Sequence, residues 1–154
     1  MIAEVEDYHY TECGLPNVWI QGIPVFDDDG EETIRIPNVN GLHRLIAEGI
    51  VGSDGSLTGA ELRFLRSEMG MTQSQLGSLL HRERLTVSRW ERDESAMDGS
   101  AEALLRIYAT IKLGLGGVDE VNVEQISARC VSAPDARGQL RIDGSIPGCY
   151  RLVA

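Results

Sequence analysis

Between Thr58 and Leu113, apolar residues recur at helical spacing, and short breaks rich in glycine or polar residues divide the stretch into four segments. Thr58 and Glu61 have the spacing of a capping box at the start of the first segment, and Gly70 ends that segment. Thr72 is placed to cap the second segment. The spacing therefore predicts four short helices. Their apolar inner faces are predicted at Leu62, Leu65 and Met69, at Leu76, Leu79 and Leu80, at Val87 and Trp90, and at Leu104, Leu105, Tyr108 and Ile111.

The residues before and after these helices are rich in β-prone runs. Asp27 to Gly30 is a strong turn signal between two such runs, which predicts a hairpin. Helical spacing over 42–50 predicts one further helix, and 52–56 has the composition of a linker. The β-prone runs lie at 18–20, 23–26, 33–36, 121–123, 126–131, 140–142 and 149–153. We therefore expect an α+β fold with a central all-α bundle. Its parts are an acidic β-rich region with one helix (1–57), the helical bundle (58–116) and a short β-strand tail (117–154).

The charge of the chain is distributed unevenly. The formal net charge is -10 and the isoelectric point is about 4.7, which taken alone argues against a polyanionic partner. Residues 1–58 contain 11 acidic and 2 basic side chains, whereas residues 59–117 contain 8 of each. The acidity is therefore concentrated in the first third of the chain, and a nucleic-acid partner remains open for the middle third.

The three cysteines lie far apart, at Cys13, Cys130 and Cys149, and include no CxxC pair. This pattern is neither a disulfide framework nor a standard zinc site, so we expect no metal and no cofactor. No window reaches the roughly 18 consecutive apolar residues of a membrane helix. The acidic N-terminus also lacks the apolar segment of a signal peptide. We therefore expect a cytoplasmic protein in a reducing compartment, with no membrane partner.

The stretch from Leu65 to Arg92 reads LRSEMGMTQSQLGSLLHRERLTVSRWER. It closely resembles the XRE family of helix-turn-helix DNA-binding domains, the Cro/cI repressor type, whose pattern is roughly LRxxxGxTQxxLAxxLGVxxxTVSRWExG. The resemblance extends from Leu62 to Leu113, and the motif aligns without a gap. It implies that the bundle at 58–116 is an XRE-type domain whose third helix lies in the major groove of double-stranded DNA.

The resemblance also implies a role for individual residues. An outward-facing arginine can bind guanine O6 and N7 together, and an exposed leucine can contact a thymine methyl group. The base-contacting residues implied are Arg84, Leu85, Thr86 and Arg89. The phosphate-contacting residues implied are Thr72, Gln73, Arg82, Ser88 and Arg92, which supply affinity rather than sequence preference. Arg66 and Glu91 match an internal pair of the family and are expected to form a structural ion pair.

The chain departs from the family pattern at two turns. His81 stands where the pattern commonly has a glycine in the left-handed conformation, and Asp93 replaces a common glycine after the third helix. Gly77 is expected to be small where the first two helices of the motif approach each other. Acidic residues near the third helix weaken its positive potential, so nonspecific affinity should be modest and salt-dependent. These are Glu83, Glu91, Asp93 and Glu94.

A second resemblance covers the N-terminal part. The run Tyr8 to Trp19 (YHYTECGLPNVW) and the run Leu57 to Arg66 (LTGAELRFLR) resemble bacterial antitoxin-type regulators of the MqsA/YgiT-like kind. Members with a zinc-binding domain use two CxxC pairs, and this chain has none, so zinc is not carried over. His9 and Cys13 leave open a metal or thiol chemistry, but nothing nearby completes such a site.

These observations together predict a sequence-specific transcriptional regulator. We expect a repressor that acts as a homodimer on a palindromic operator, which its own promoter could contain. The alternative is an antitoxin-like protein whose acidic N-terminal region binds and neutralises a basic toxin. We expect no enzymatic activity.

Overall fold

The computed structural model describes residues 2–115, 122–130 and 138–153. The chain forms two compact units, one made of Met1–Ile46 with Arg137–Ala154 and the other of Ala47–Ala136. The boundaries predicted at 57 and 116 do not coincide with these units. The reason is that the C-terminal strands complete the N-terminal sheet, while residues 47–57 and 122–130 belong to the helical unit.

The first unit contains a five-stranded sheet in the described part of the chain. Strand β2 is central, because its Ile20 pairs with Tyr8 on one side and with Ile142 on the other. The N- and C-terminal segments therefore form one sheet, a question that the sequence leaves open. The strands are β1 (Ile2–His9), β2 (Val18–Asp28), β3 (Glu31–Ile34), β4 (Leu140–Asp143) and β5 (Arg151–Leu152). Strand β4 is parallel to β2, and all other pairs are antiparallel.

Strand β2 joins two runs that the sequence predicts as separate strands. Val18 and Ile20 are buried, and after Gly22 the alternation resumes one residue later with Ile23 and Val25. Gly22 has a φ of 71°, and the β1–β2 register shifts at this point, which is the arrangement of a β-bulge. One extra residue at the bulge keeps both runs facing the core.

The hairpin between β2 and β3 turns where the sequence predicts it. Asp29 and Gly30 both have positive φ, at 55° and 89°, as a two-residue type I′ turn requires. The side chain of Asp27 accepts a hydrogen bond from the Gly30 N–H (3.0 Å).

Helices account for most of the second unit. Helix α1 (Val39–Val51) runs from the first unit into it. The other helices in the described ranges are α2 (Gly59–Glu68), α3 (Gln73–Leu80), α4 (Arg84–Glu91), α5 (Gly99–Leu113) and α6 (Val123–Arg129). None of them has the length and apolar character that crossing a membrane requires.

Helix α6 corrects the prediction of short strands at 121–123 and 126–131. Asn122 accepts a hydrogen bond from the Gln125 N–H (3.0 Å), and Ile126 is buried. A capped start and one buried position outweigh the β propensity of valine and isoleucine, which is a weak preference. Residues 121 and 131 of that prediction lie outside the described residues.

The core of the second unit agrees with the predicted inner faces of α2 to α4. Leu62, Leu65, Leu76 and Val87 are fully buried, and Trp90 is buried beside them. Leu79 is half-buried, at the edge of this core. Both predicted caps, Thr58 and Thr72, accept hydrogen bonds from the N–H three residues on, and both helices begin with a complete capping box.

The inner face predicted for α5 is confirmed at Leu105, which is fully buried, and is wrong at Leu104 and Ile111. Leu104 is 40% exposed and Ile111 is 58% exposed, while Glu102 and Arg106 point into the core. The inward face instead consists of Ala101, Glu102, Leu105, Arg106 and Ala109. Arg106 satisfies backbone carbonyls at the end of α1 and in the segment between α1 and α2, which would otherwise lack donors.

The segment at 52–56, predicted to be a linker, is therefore fastened to α5. Arg106 donates to the carbonyl oxygens of Val51 (2.9 Å), Ser53 (2.6 Å) and Gly55 (2.6 Å). Glu102 accepts a hydrogen bond from the Leu57 N–H (2.5 Å) and lies beside the Arg106 guanidinium (3.5 Å). The two charged side chains neutralise each other inside the unit.

Candidate nucleic-acid interface

Helices α3 and α4 are joined by a tight turn. His81 ends α3 in the left-handed conformation (φ 57°), as the sequence predicts for this position. The Arg82 N–H donates to the Gly77 carbonyl (2.8 Å), and a Cβ at Gly77 would lie 2.6 Å from the Arg82 carbonyl oxygen. Gly77 is therefore required where the turn closes on α3, which corrects its predicted place between two helices.

Helix α4 buries one face and exposes the other. Val87 and Trp90 anchor it in the core. The opposite face contains Arg84, Arg89 and Leu85, and Leu85 is 45% exposed although it is a large apolar residue. Thr86 and Ser88 are half-buried between the two faces, and Arg92 is exposed just beyond the last turn. The result is a short helix whose exposed side offers cationic and apolar groups along one row.

The ion pair expected between Arg66 and Glu91 is present. Arg66 donates from Nε to Glu91 Oε2 (2.7 Å) and from Nη2 to Oε1 (2.9 Å), and its Nη1 donates to the Met71 carbonyl (3.0 Å). The Glu91 side chain is only 5% exposed. This pair ties α2 and the following turn to α4. The pair also neutralises Glu91. The Glu91 carboxylate therefore lowers the positive electrostatic potential around α4 less than the sequence suggests.

Two of the cationic residues near α4 have carboxylate partners. Arg82 donates to Asp98 (3.1 Å), and Arg92 donates to Glu94 (3.1 Å). Although desolvation acts in the opposite direction, the hydrogen bonds from the Ala101 N–H and from Arg82 lower the pKa of Asp98. Both pairs are exposed, so a phosphate could replace either carboxylate at small cost.

Asp93 has a structural role that the sequence does not reveal. Its φ is 56°, and its Oδ1 accepts a hydrogen bond from the Gly59 N–H (2.8 Å) at the start of α2. A Cβ at Gly59 would collide with the Glu91 carbonyl oxygen. The end of α4 therefore packs directly against the start of α2. The Asp93 carboxylate stabilises the first N–H groups of α2, which have no partner within the helix.

Gln73 at the start of α3 contacts the side chains of the first and the last residue of α4. Thr72 and Gln75 form a capping box, in which the Thr72 hydroxyl accepts from the Gln75 N–H (3.1 Å). Gln73 accepts a hydrogen bond from Arg84 Nη1 (3.3 Å) and donates to Glu91 Oε1 (3.3 Å). The structure thus brings Gln73 and Arg84, predicted as a phosphate contact and a base contact, into one hydrogen-bonded group.

The other residues considered from the sequence lie in the sheet unit. His9 stacks on Trp19 (ring centroids 4.3 Å apart) and donates to the Pro16 carbonyl (2.6 Å). The Cys13 thiol donates to the Tyr10 carbonyl (3.5 Å). Across the ranges 2–115, 122–130 and 138–153, no three His, Cys, Asp or Glu side chains are grouped as a metal site requires.

The buried pair Glu102 and Arg106 was not predicted from the sequence. One signal was available, because the two charges stand four residues apart in a helix that is otherwise mostly apolar.

Comparisons with protein-family models, with curated proteins and with solved structures find no match for this chain. The class of the protein is therefore described from its own structure. This is an α+β protein with a five-stranded sheet unit and a helical unit, and the helical unit exposes a short arginine-bearing helix.

Proposed function

We propose that the chain is a sequence-specific DNA-binding transcriptional regulator whose residues 58–116 form an XRE-type helix-turn-helix domain. The observation that supports this most is the division of α4 into two faces. Val87 and Trp90 hold one face in the core, while Arg84, Leu85 and Arg89 project from the other. A helix of this width enters a major groove, where arginine and leucine side chains can meet base edges.

The residue roles in this proposal follow from exposure and chemistry. Arg84 and Arg89 bind guanine, Leu85 contacts a thymine methyl group, and Thr86 lies at the edge of the base-contacting row. Around them, phosphates are bound by groups at the start of α3 and at the two ends of α4. This phosphate set is Thr72, Gln73, Arg82, Ser88 and Arg92.

The proposed regulator acts as a homodimer. Palindromic operators require two recognition helices about 34 Å apart, or one turn of DNA. The outward face of α5 offers an apolar stripe with Leu104, Tyr108 and Ile111 at spacings of four and three. Two copies of a chain with net charge -10 repel each other least where they meet through uncharged side chains. The stripe also lies within residues 59–117, which contain equal numbers of acidic and basic groups. We assign this stripe to the dimer interface.

The function is tested by selecting binding sites from a randomised duplex library and then measuring fluorescence anisotropy on the selected site. Arg89→Ala should weaken binding to the selected site far more than binding to scrambled DNA. Arg63→Ala removes the same charge from an exposed position on α2 and is the matched control. Equal losses on both DNAs for Arg89→Ala would contradict its role as a base reader, and failure to select any motif would contradict the proposed function.

The experiment should be run at two salt concentrations. Each displaced phosphate counterion contributes to the salt dependence, so affinity for scrambled DNA should fall steeply as salt rises. The DNA upstream of the chain's own gene is the natural second probe, since a match there would support autoregulation and repression by operator occupancy.

A second candidate function rests on the acidic hairpin of the sheet unit. Asp27, Asp29, Glu31 and Glu32 are all exposed around the β2–β3 turn. In this proposal an antitoxin-like chain uses that surface to bind and neutralise a basic toxin, by charge complementarity.

This candidate is tested with the basic product of a neighbouring gene. Replacing the four acidic residues by their amides should abolish the complex and leave DNA binding intact. A complex that survives these replacements would contradict the acidic surface as the binding site.

A further inference from the structure

Four side chains form a continuous hydrogen-bonded group that runs from the core of the helical unit to its exposed face. Arg66 on α2 binds Glu91 at the end of α4 through two hydrogen bonds (2.7 and 2.9 Å). Glu91 Oε1 also accepts from Gln73 Nε2 (3.3 Å), and Gln73 Oε1 accepts from Arg84 Nη1 (3.3 Å). The group therefore begins at a partly buried ion pair and ends at the first residue of α4.

The direction of the Gln73 amide follows from the chemistry of its two neighbours. Glu91 offers only acceptors, so it must face the amide NH2 group. Arg84 offers only donors, so it must face the amide oxygen. A reversed amide would place oxygen against carboxylate and NH2 against guanidinium, which is unfavourable on both sides. Gln73 thus has one stable orientation here, and Glu91 is itself held in place by Arg66.

A guanidinium at the end of a long flexible side chain loses considerable rotational freedom when it binds. A partner that already orients it in the free protein reduces this loss and fixes its direction. Gln73 is such a partner for Arg84, which the proposed function places against a base edge.

We propose that Gln73 is a positioning residue that orients Arg84 and so sets the base preference at the position that Arg84 contacts. This inference rests on the proposed function and changes one part of it. A residue that contacted only phosphate would add affinity equally on every sequence, whereas a residue that orients a base reader alters sequence preference.

The test is binding-site selection with wild type, Arg84→Ala, Gln73→Ala and Ser74→Ala. Arg84→Ala identifies the base position that Arg84 contacts, because preference there is lost. Gln73→Ala should lower preference at that same position by about tenfold and leave the other positions unchanged. Ser74→Ala alters an exposed neighbour on α3 and should leave the whole motif as in wild type.

Gln73→Glu separates orientation from simple loss of the side chain. A glutamate keeps an acceptor for Arg84 but places a second carboxylate against Glu91, so the side chain is displaced. We expect Gln73→Glu to lower the preference at the Arg84 position as Gln73→Ala does. In the double variant Gln73→Ala with Arg84→Ala, preference at that position should be no lower than with Arg84→Ala alone.

The outcomes distinguish this inference from the function on which it depends. A wild-type protein that selects no motif overturns both. A wild-type motif that Gln73→Ala weakens uniformly, without a change in preference, overturns only the positioning role and leaves a phosphate contact. A motif in which Arg84→Ala alters no position overturns the inference as well, because Arg84 is then not a base reader.

Discussion

Arg106 holds together the polar part of the interior of the helical unit. It is fully buried, and its guanidinium donates to three backbone carbonyls and to Glu102. A buried charge is tolerated only when it is paired and hydrogen-bonded, and here the two terminal nitrogens of Arg106 provide the pairing with Glu102 and all four hydrogen bonds, whereas its buried Nε has no partner among the described residues. The same contacts connect α5 to the segment that precedes α2.

Replacement of Arg106 by methionine should be severely destabilising. The apolar side chain nearly conserves volume but leaves Glu102 buried without its cation and three carbonyls without donors. Breaking a buried pair from one side costs about 3–5 kcal/mol in the free energy of unfolding. Urea denaturation measures the change, and Arg63→Ala, an exposed arginine on α2, is the control and should cost less than about 0.5 kcal/mol. A loss below about 1 kcal/mol for Arg106→Met would contradict the central role of this pair.

The cysteines should differ in reactivity. Burial raises the pKa of the Cys130 thiol to about 11, and the neighbouring Glu102 adds to the effect while Arg106 opposes it. Cys149 is exposed. Because only the thiolate reacts, at pH 8 about one Cys130 thiol in a thousand is in the reactive form. Iodoacetamide labelling followed by peptide mass analysis should modify Cys149 long before Cys130, and equal rates would show that Cys130 is more open than this structure has it.

At the scale of the element, helix starts are the best-defined local features. Thr58 Oγ1 accepts from the Glu61 N–H (3.2 Å), and Glu61 Oε1 accepts from the Thr58 N–H (2.9 Å). Residues three positions apart decide this geometry, so the sequence predicted the capping box at Thr58 and the cap at Thr72, although the part that Gln75 plays in a second capping box was not predicted. The turn after α3 was also predicted, since a residue in the left-handed conformation is needed there and His81 occupies it.

Thr58→Ala should destabilise the helical unit by about 1 kcal/mol, because it leaves the N–H groups at the start of α2 without the hydroxyl acceptor. Thr58→Ser retains the hydroxyl and should restore most of the loss. Thermal unfolding of the full chain measures both, and Ser67→Ala on the exposed face of α2 is the control. Equal melting temperatures for Thr58→Ala and wild type would contradict the contribution of this cap.

The inner face of α5 could not be predicted in the same way. Leu104 and Ile111 have the spacing of an inner face, and only the buried carbonyls of the 51–55 segment turn Arg106 inward instead. Those carbonyls lie about fifty positions away in the chain. No local pattern reveals that a distant loop needs donors, which is why Leu104 and Ile111 were predicted on the buried side of α5.

At the scale of the whole molecule, that exposed stripe makes a prediction about assembly. Leu104→Glu combined with Ile111→Glu should convert the proposed dimer to a monomer without lowering the melting temperature of the chain, since neither side chain is in the core. Light scattering coupled to size-exclusion chromatography measures the mass. Arg63→Glu, a charge change on the exposed face of α2, is the control.

The mass of the protein in solution and its binding to DNA test the proposed dimer together. The glutamate variant should bind a single half-site as wild type does but lose the preference for two correctly spaced half-sites. A dimer of unchanged mass would place the interface elsewhere, and a wild-type monomer at all concentrations would contradict the homodimer.

Patterns within a few residues were sufficient for the caps, the hairpin turn and the buried faces of α2 to α4, while the DNA-contacting residues stay a prediction. Such features depend on local hydrogen bonds and on the side-chain period of a helix or strand. Three others depended on distant partners: the parallel pairing of β4 with β2, the helix at 123–129 and the inward rotation of Glu102 and Arg106. Each buries polar backbone groups or apolar side chains against residues far away in sequence, and only the folded chain brings those partners together.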